Sequence, residues 1–265
     1  ARACAAALLA LGMPWPAAAD PVLLHAAGSL RAALTEVVQR FESASGVPVQ
    51  PKFGASGLLK DEIASGGKAE VFASANMEHP LALAAANKSG PVVLFARNRL
   101  CALTRPGLAA MPDNLLDRML DPQVKLGTST PRADPSGDYA WEVFRKADKL
   151  KSGAFAALEK KAMQLTGGPS SPPPPAGRNA YGALIAEGKA DIFLTYCTNA
   201  LGARKENPGQ EIVSLPDALA VGADYGLAVM AGAPANAHRL AMFILSPDGQ
   251  RVLASHGFAA PNLPQ

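Results

Sequence analysis

The sequence predicts an α/β protein built as two lobes, each a mostly parallel sheet flanked by helices. Two observations carry this expectation. Short apolar runs of strand length alternate with longer stretches of helical periodicity, and the alternation occurs twice along the chain. Composition sets the scale: 265 residues, 49% hydrophobic and 18% charged, supply a real core, while 24 glycines and 23 prolines punctuate many short elements.

The first nineteen residues read as a leader. Arg2 precedes the apolar run from Ala5 to Leu11, and Ala17-Ala18-Ala19 offers the small residues a signal peptidase accepts, just before Asp20. Pro14 and Pro16 would end a helix here, and the run is too short to span a bilayer. Residues 1–19 are therefore expected to be a signal-peptide remnant, with an exported mature chain starting at Asp20. Cys4 falls within that leader. Cys101 and Cys197 remain, either joined in an oxidising compartment or kept as two buried thiols.

The first series begins with the strand Val22 to Ala27. Leu30, Leu34, Val37, Val38 and Phe41 then recur at helical spacing from Ser29 until Gly46 stops the run. Val47 to Phe53 reads as a strand, Gly57 to Ser65 as a helix and Glu70 to Ala75 as a strand, completing β-α-β-α-β. Strands separated by helices need crossover connections, so the sheet is expected to be largely parallel, with a ligand crevice at the carboxyl ends of its strands. Ser29 and Ser56 both fall at such ends.

A second series starts near Val92. It runs through Leu100 to Leu103, a strand Val124 to Thr128, a helix from about Ser136 to Lys149, and a strand Asp191 to Tyr196. Between the last two, Gly167 to Gly177 includes Pro169 and the run Pro172 to Pro175 and cannot be helical. It is read as a stiff extended arm near the crevice rather than a partner-binding peptide. After Tyr196 come a polar stretch, Lys205 to Gly209, the alternating run Tyr225 to Met230, and helices at His238 to Leu245 and Pro247 to Ser255. The terminal helices are expected to return to the first lobe. That assigns residues 20–98 and 223–265 to lobe 1 and 99–222 to lobe 2, with hinges at Arg97 to Leu103 and Ala223 to Met230.

Several function classes lack their signatures. The formal charge is only +3 and no Lys/Arg run forms a stripe for a phosphate backbone, so nucleic acid is not an expected partner. Four His and three Cys show no zinc-ligand spacing, and no phosphate-binding glycine loop or nucleophile elbow is present.

Taken together, Ala26-Ala27-Gly28-Ser29-Leu30, Phe53-Gly54-Ala55-Ser56-Gly57-Leu58-Leu59, Ala69 to Ala75, Pro135 to Ala140, Asp191 to Tyr196 and His256-Gly257-Phe258 resemble the periplasmic molybdate-binding proteins of ABC transporters. The order of these segments is that family's order, and the likeness runs from about Val22 to Phe258. It implies the type II periplasmic-binding-protein fold, a periplasmic location, a monomer, no cofactor, no enzymatic activity, a permease in the inner membrane as partner, and molybdate or tungstate as ligand. In that family serine hydroxyls, backbone N–H groups at helix starts and a tyrosine hydroxyl hold the oxyanion. By motif, Ser29 and Ser56 match the two serines, Ser136 and Arg178 fall at backbone N–H positions, and Tyr196 matches the tyrosine.

The residues themselves support both this reading and plainer ones. A helix start carries unsatisfied N–H groups and a partial positive charge, so an anion is stabilised there without metal or arginine. Serine at the same place also caps helices, and Ser136 follows Asp134-Pro135 as an ordinary helix start. Tyr196 serves equally as a core residue. Arg178 and Arg132 depart from the family pattern; a guanidinium in the site would favour sulfate, phosphate or a carboxylate, and otherwise both are solvated loop residues. An enzyme on the same architecture would need a nucleophile, for which Cys197 is the one candidate.

Overall fold

A computed structural model describes residues 20–173 and 177–261. The expected leader, Pro174, Pro175 and Ala176 lie outside the described residues. The chain forms β1 (Val22–Ala27), a 3-10 turn (Gly28–Leu30), α1 (Arg31–Ser45), β2 (Val49–Gly54), α2 (Ser56–Ala64), β3 (Val71–Ser74) and α3 (Glu78–Ala85). β4 (Val93–Thr104), α4 (Leu115–Leu120), β5 (Leu126–Ser129), α5 (Pro135–Leu150), α6 (Ala154–Lys161), β6 (Met163–Thr166), α7 (Ala180–Ala186) and β7 (Ile192–Tyr196) follow. The last part comprises α8 (Cys197–Glu206), β8 (Glu211–Ser214), β9 (Gly222–Val229), α9 (Ala235–Leu245) and α10 (Pro247–Ser255).

The sequence pattern explains the main elements. α1 buries Ala33, Leu34, Val37, Val38 and Phe41, the stripe its spacing required, and ends where Gly46 takes a left-handed φ of 68° and returns its N–H to the Glu42 carbonyl. α5 is started by Asp134, whose carboxylate accepts the Ser136 N–H, with Pro135 in the first turn. β3, β5 and β7 are buried along their whole length, as their unbroken apolar character demands of strands covered on both faces.

The strands lie in the order β2-β1-β3-β9-β4-β7-β5-β6, with β8 also paired to β4. β1, β2 and β3 are mutually parallel, as are β5, β6 and β7. These are the sheets of the two lobes, and β4 and β9 join them antiparallel. β4 changes partners along its length. From Val93 to Arg99 it pairs with β9, and from Leu100 to Thr104 with β7. α9 and α10 return against α1 and cover the β1-β2-β3 face, joining one large core.

The elements around Tyr196 differ from expectation. The chain turns at once into α8, ten residues of which only Asn199, Ala200 and Ala203 are buried. α3, α4, α6, α7, β6 and β8 were also not foreseen. The described part of the proline-rich segment, residues 167–173 and 177, contains no helix or strand. Cys101 of β4 and Cys197 of α8 form a disulfide, their Cα atoms 4.9 Å apart. No helix among the described residues is long and apolar enough to cross a membrane.

Candidate functional site

β1 and β2 run in register to Ala27 opposite Gly54, so the chain leaves both strands at one edge. Ser29 then sits in the 3-10 turn and Ser56 opens α2. Neither hydroxyl caps its helix; the residues ahead of α1 and α2, Leu30 and Ala55, make no side-chain cap either. Instead, Ser56 Oγ, buried, accepts the Ala75 N–H at 3.1 Å, and Ser29 Oγ lies 2.9 Å from Tyr225 Oη. Capping therefore does not describe these serines.

The second lobe meets them at the same place. Tyr196, at the end of β7 and fully buried, donates its hydroxyl to the Ala75 carbonyl at 3.4 Å. Ser56 and Tyr196 thus engage the N–H and C=O of one residue. The Tyr196 ring packs edge-on against Tyr225, 5.6 Å between centroids, and against Tyr139 of α5 at 6.2 Å. Burial pushes the phenols of Tyr196 and Tyr225 well above their ordinary range, so both remain protonated hydrogen-bond donors. Asn98, on β4, donates from Nδ2 to Tyr225 Oη at 3.3 Å and to Thr198 Oγ1 at 2.8 Å.

The loop before α5 closes over α2. The Gly57 N–H, in the first turn of α2, donates to the Ala133 carbonyl at 2.9 Å, across the crevice. A Cβ at position 57 would lie 2.3 Å from the Arg132 carbonyl oxygen and 2.7 Å from that of Ala133, so only glycine permits this approach. Ser136 is buried in the first turn of α5, its N–H held by Asp134 Oδ1 at 3.1 Å and its hydroxyl without a partner. Burial raises the Asp134 carboxyl to about 6, against the opposing pull of the Ser136 N–H and the Ser129 hydroxyl.

Ser29, Ser56 and Tyr196 are linked through Ala75 and Tyr225, and the segment carrying Ser136 lies against the start of α2. Arg178 is not among them. Its exposed side chain lies at the start of α7, Nε 3.9 Å from Glu206 Oε2 and Nη2 3.5 Å from Asn207 Oδ1. Arg132 is likewise exposed, at a left-handed φ of 67°, its N–H accepted by Asp138. Sequence reasoning missed Tyr225, Asn98 and Ala75 as site residues, although the first two fall within the segments expected to cross between lobes. Among the described residues no group of three or more His, Cys, Asp or Glu is placed to hold a metal. The Cys197 sulfur is in the disulfide and is no free nucleophile.

Residues 22–259 match the family model of bacterial extracellular solute-binding proteins. This chain belongs to that family. This solute-binding protein is 37% identical over 239 residues to an uncharacterized protein of Pasteurella multocida, covering 89% of this chain and 98% of the relative. It is 25% identical over 262 residues to the molybdate-binding protein ModA of Mycobacterium bovis, covering 92% and 86%. In fold it resembles the periplasmic molybdate-binding protein of Azotobacter vinelandii, with a TM-score of 0.73 at 18% identity over 91% of this chain and all of that one. The sulfate-binding protein SubI of Mycobacterium tuberculosis matches it equally in TM-score, 0.73 at 19% identity, covering 91% and 87%.

Proposed function

We propose that this solute-binding protein is the periplasmic component of an ABC importer and captures a tetrahedral oxyanion, molybdate or tungstate first, between its lobes for delivery to an inner-membrane permease. One observation carries the reading. Two serines at the carboxyl ends of adjacent parallel strands, and a tyrosine from the other lobe, converge through a single residue, Ala75. The helix starts beside the serines supply uncapped N–H groups and a positive dipole end. Hydroxyls and N–H groups donate to an anion without any countercharge, and Tyr196 can exchange the Ala75 carbonyl for a ligand oxygen. Such a site binds and releases; it needs no cofactor and performs no chemistry.

The likeness to molybdate-binding relatives in sequence and fold supports this ligand, while the sulfate-binding neighbour keeps sulfate as the second reading. Calorimetry with molybdate, tungstate, sulfate, phosphate and small carboxylates decides. Tightest binding of molybdate or tungstate is the expected result, and a carboxylate bound more tightly than every oxyanion would end the proposal.

A further inference from the structure

We propose that Asn98 and Tyr225, on the two strands that cross between the lobes, fix the direction of the hydrogen bonds at Ser29, so that both serines present donors and select an oxyanion that carries no proton. The inference rests on the oxyanion reading above and narrows its ligand class.

The direction follows from which atoms can only give. The Arg99 N–H, a donor alone, lies 2.9 Å from Asn98 Oδ1, so the amide oxygen must face it and the amide nitrogen must face Thr198 and Tyr225. Tyr225 Oη therefore accepts from Asn98. Tyr225 is fully buried, and a buried hydroxyl hydrogen with no acceptor is costly. Its partner at hydrogen-bond distance on the other side is Ser29 Oγ, at 2.9 Å, which must accept that hydrogen. Ser29, partly exposed, is left with its own hydrogen to offer. Ser56 reaches the same condition by another route, since its oxygen already accepts the Ala75 N–H. Neither serine turns a free lone pair outward as readily as it turns a hydrogen, and a ligand O–H meets no good acceptor at these two positions. A fully ionised oxyanion, as molybdate, tungstate and sulfate are near neutral pH, satisfies both.

Selenate and hydrogenarsenate separate this from simple anion affinity, because at about pH 8, above the second pKa of a phosphate-like acid, they carry equal charge and differ by one proton. Calorimetry on the whole protein with molybdate, selenate and arsenate should show selenate bound at least about tenfold more tightly than arsenate. Asn98→Asp replaces the donor facing Tyr225 with an acceptor and reverses the chain, so the selenate-to-arsenate affinity ratio should fall by about tenfold or more. Tyr225→Phe frees the Ser29 hydroxyl to turn either way, and should lower the ratio by less. A purely structural role would weaken both ions alike and leave the ratio untouched in both variants, which would overturn the proposal. Equal wild-type affinity for selenate and arsenate would overturn it too, leaving the receptor reading intact, whereas failure of all three ions to bind would remove both.

Discussion

Ser29 and Ser56 are the residues on which the site turns, and their structural duties differ from the capping that serine often performs. Ser56→Ala would leave the buried Ala75 N–H without an acceptor, costing about 1–3 kcal/mol of stability. If the hydroxyl also binds the anion, affinity for molybdate should fall about tenfold to a hundredfold in Ser56→Ala and Ser29→Ala. Denaturant titration and calorimetry on both variants read the two effects separately, and unchanged affinity in both would remove the serines from the site. Asp134 makes a different prediction. Burial lifts its carboxyl from 3.8 to about 6, so across that interval the folded protein holds a proton the unfolded chain has lost. Its contribution to stability is therefore most favourable below about 3.8 and declines as pH rises to about 6. Asp134→Asn keeps a capping oxygen and should flatten that decline; an unaltered slope in urea titrations at pH values across the interval would contradict the assignment.

At the scale of elements, the Cys101–Cys197 link ties β4 to the first residue of α8, one position after Tyr196. Closing a loop of 96 residues is worth roughly 4 kcal/mol in the chain-entropy model. Reduction should accordingly lower the melting temperature by several degrees, and an unchanged transition on adding reductant would refute a stabilising role. α8 also marks where the sequence was hard to read. α1 and β7 announced themselves through Leu34, Val37 and Phe41 and through Ile192 to Tyr196, because large apolar side chains at a fixed period have one face to hide. In α8, by contrast, Asn199, Ala200 and Ala203 are the buried residues, too small or polar to make a stripe. The same distinction divides the site. Ser29, Ser56 and Tyr196 lie at strand ends and were legible from position, while Tyr225 and Asn98 lie within the long strands β9 and β4 and acquire their roles only through pairing across the sheet.

For the whole molecule, the closeness of the lobes is tested at Gly57. Alanine there would favour α2 by up to about 1 kcal/mol, yet its Cβ would meet the backbone oxygens of Arg132 and Ala133. Gly57→Ala should therefore hold the lobes apart: scattering should show a larger radius for the variant in saturating molybdate than for wild type, with weaker binding. Equal radii and affinities would show that the Gly57–Ala133 contact has no part in closure. The path of the chain carries one more consequence, for the order in which it is assembled. β9 lies between β3 and β4 in the sheet although it is the last strand in sequence. A polypeptide emerging from a ribosome or threading through a translocase cannot complete that seam until residue 229 has appeared. By then Arg99 and Gly222, register partners, have brought together the ends of everything made between them. The intervening 99–222 segment can reach its own fold first, and β9 then enters as a keystone, so a chain truncated before Gly222 should leave β1, β2 and β3 with an open edge for a chaperone to guard.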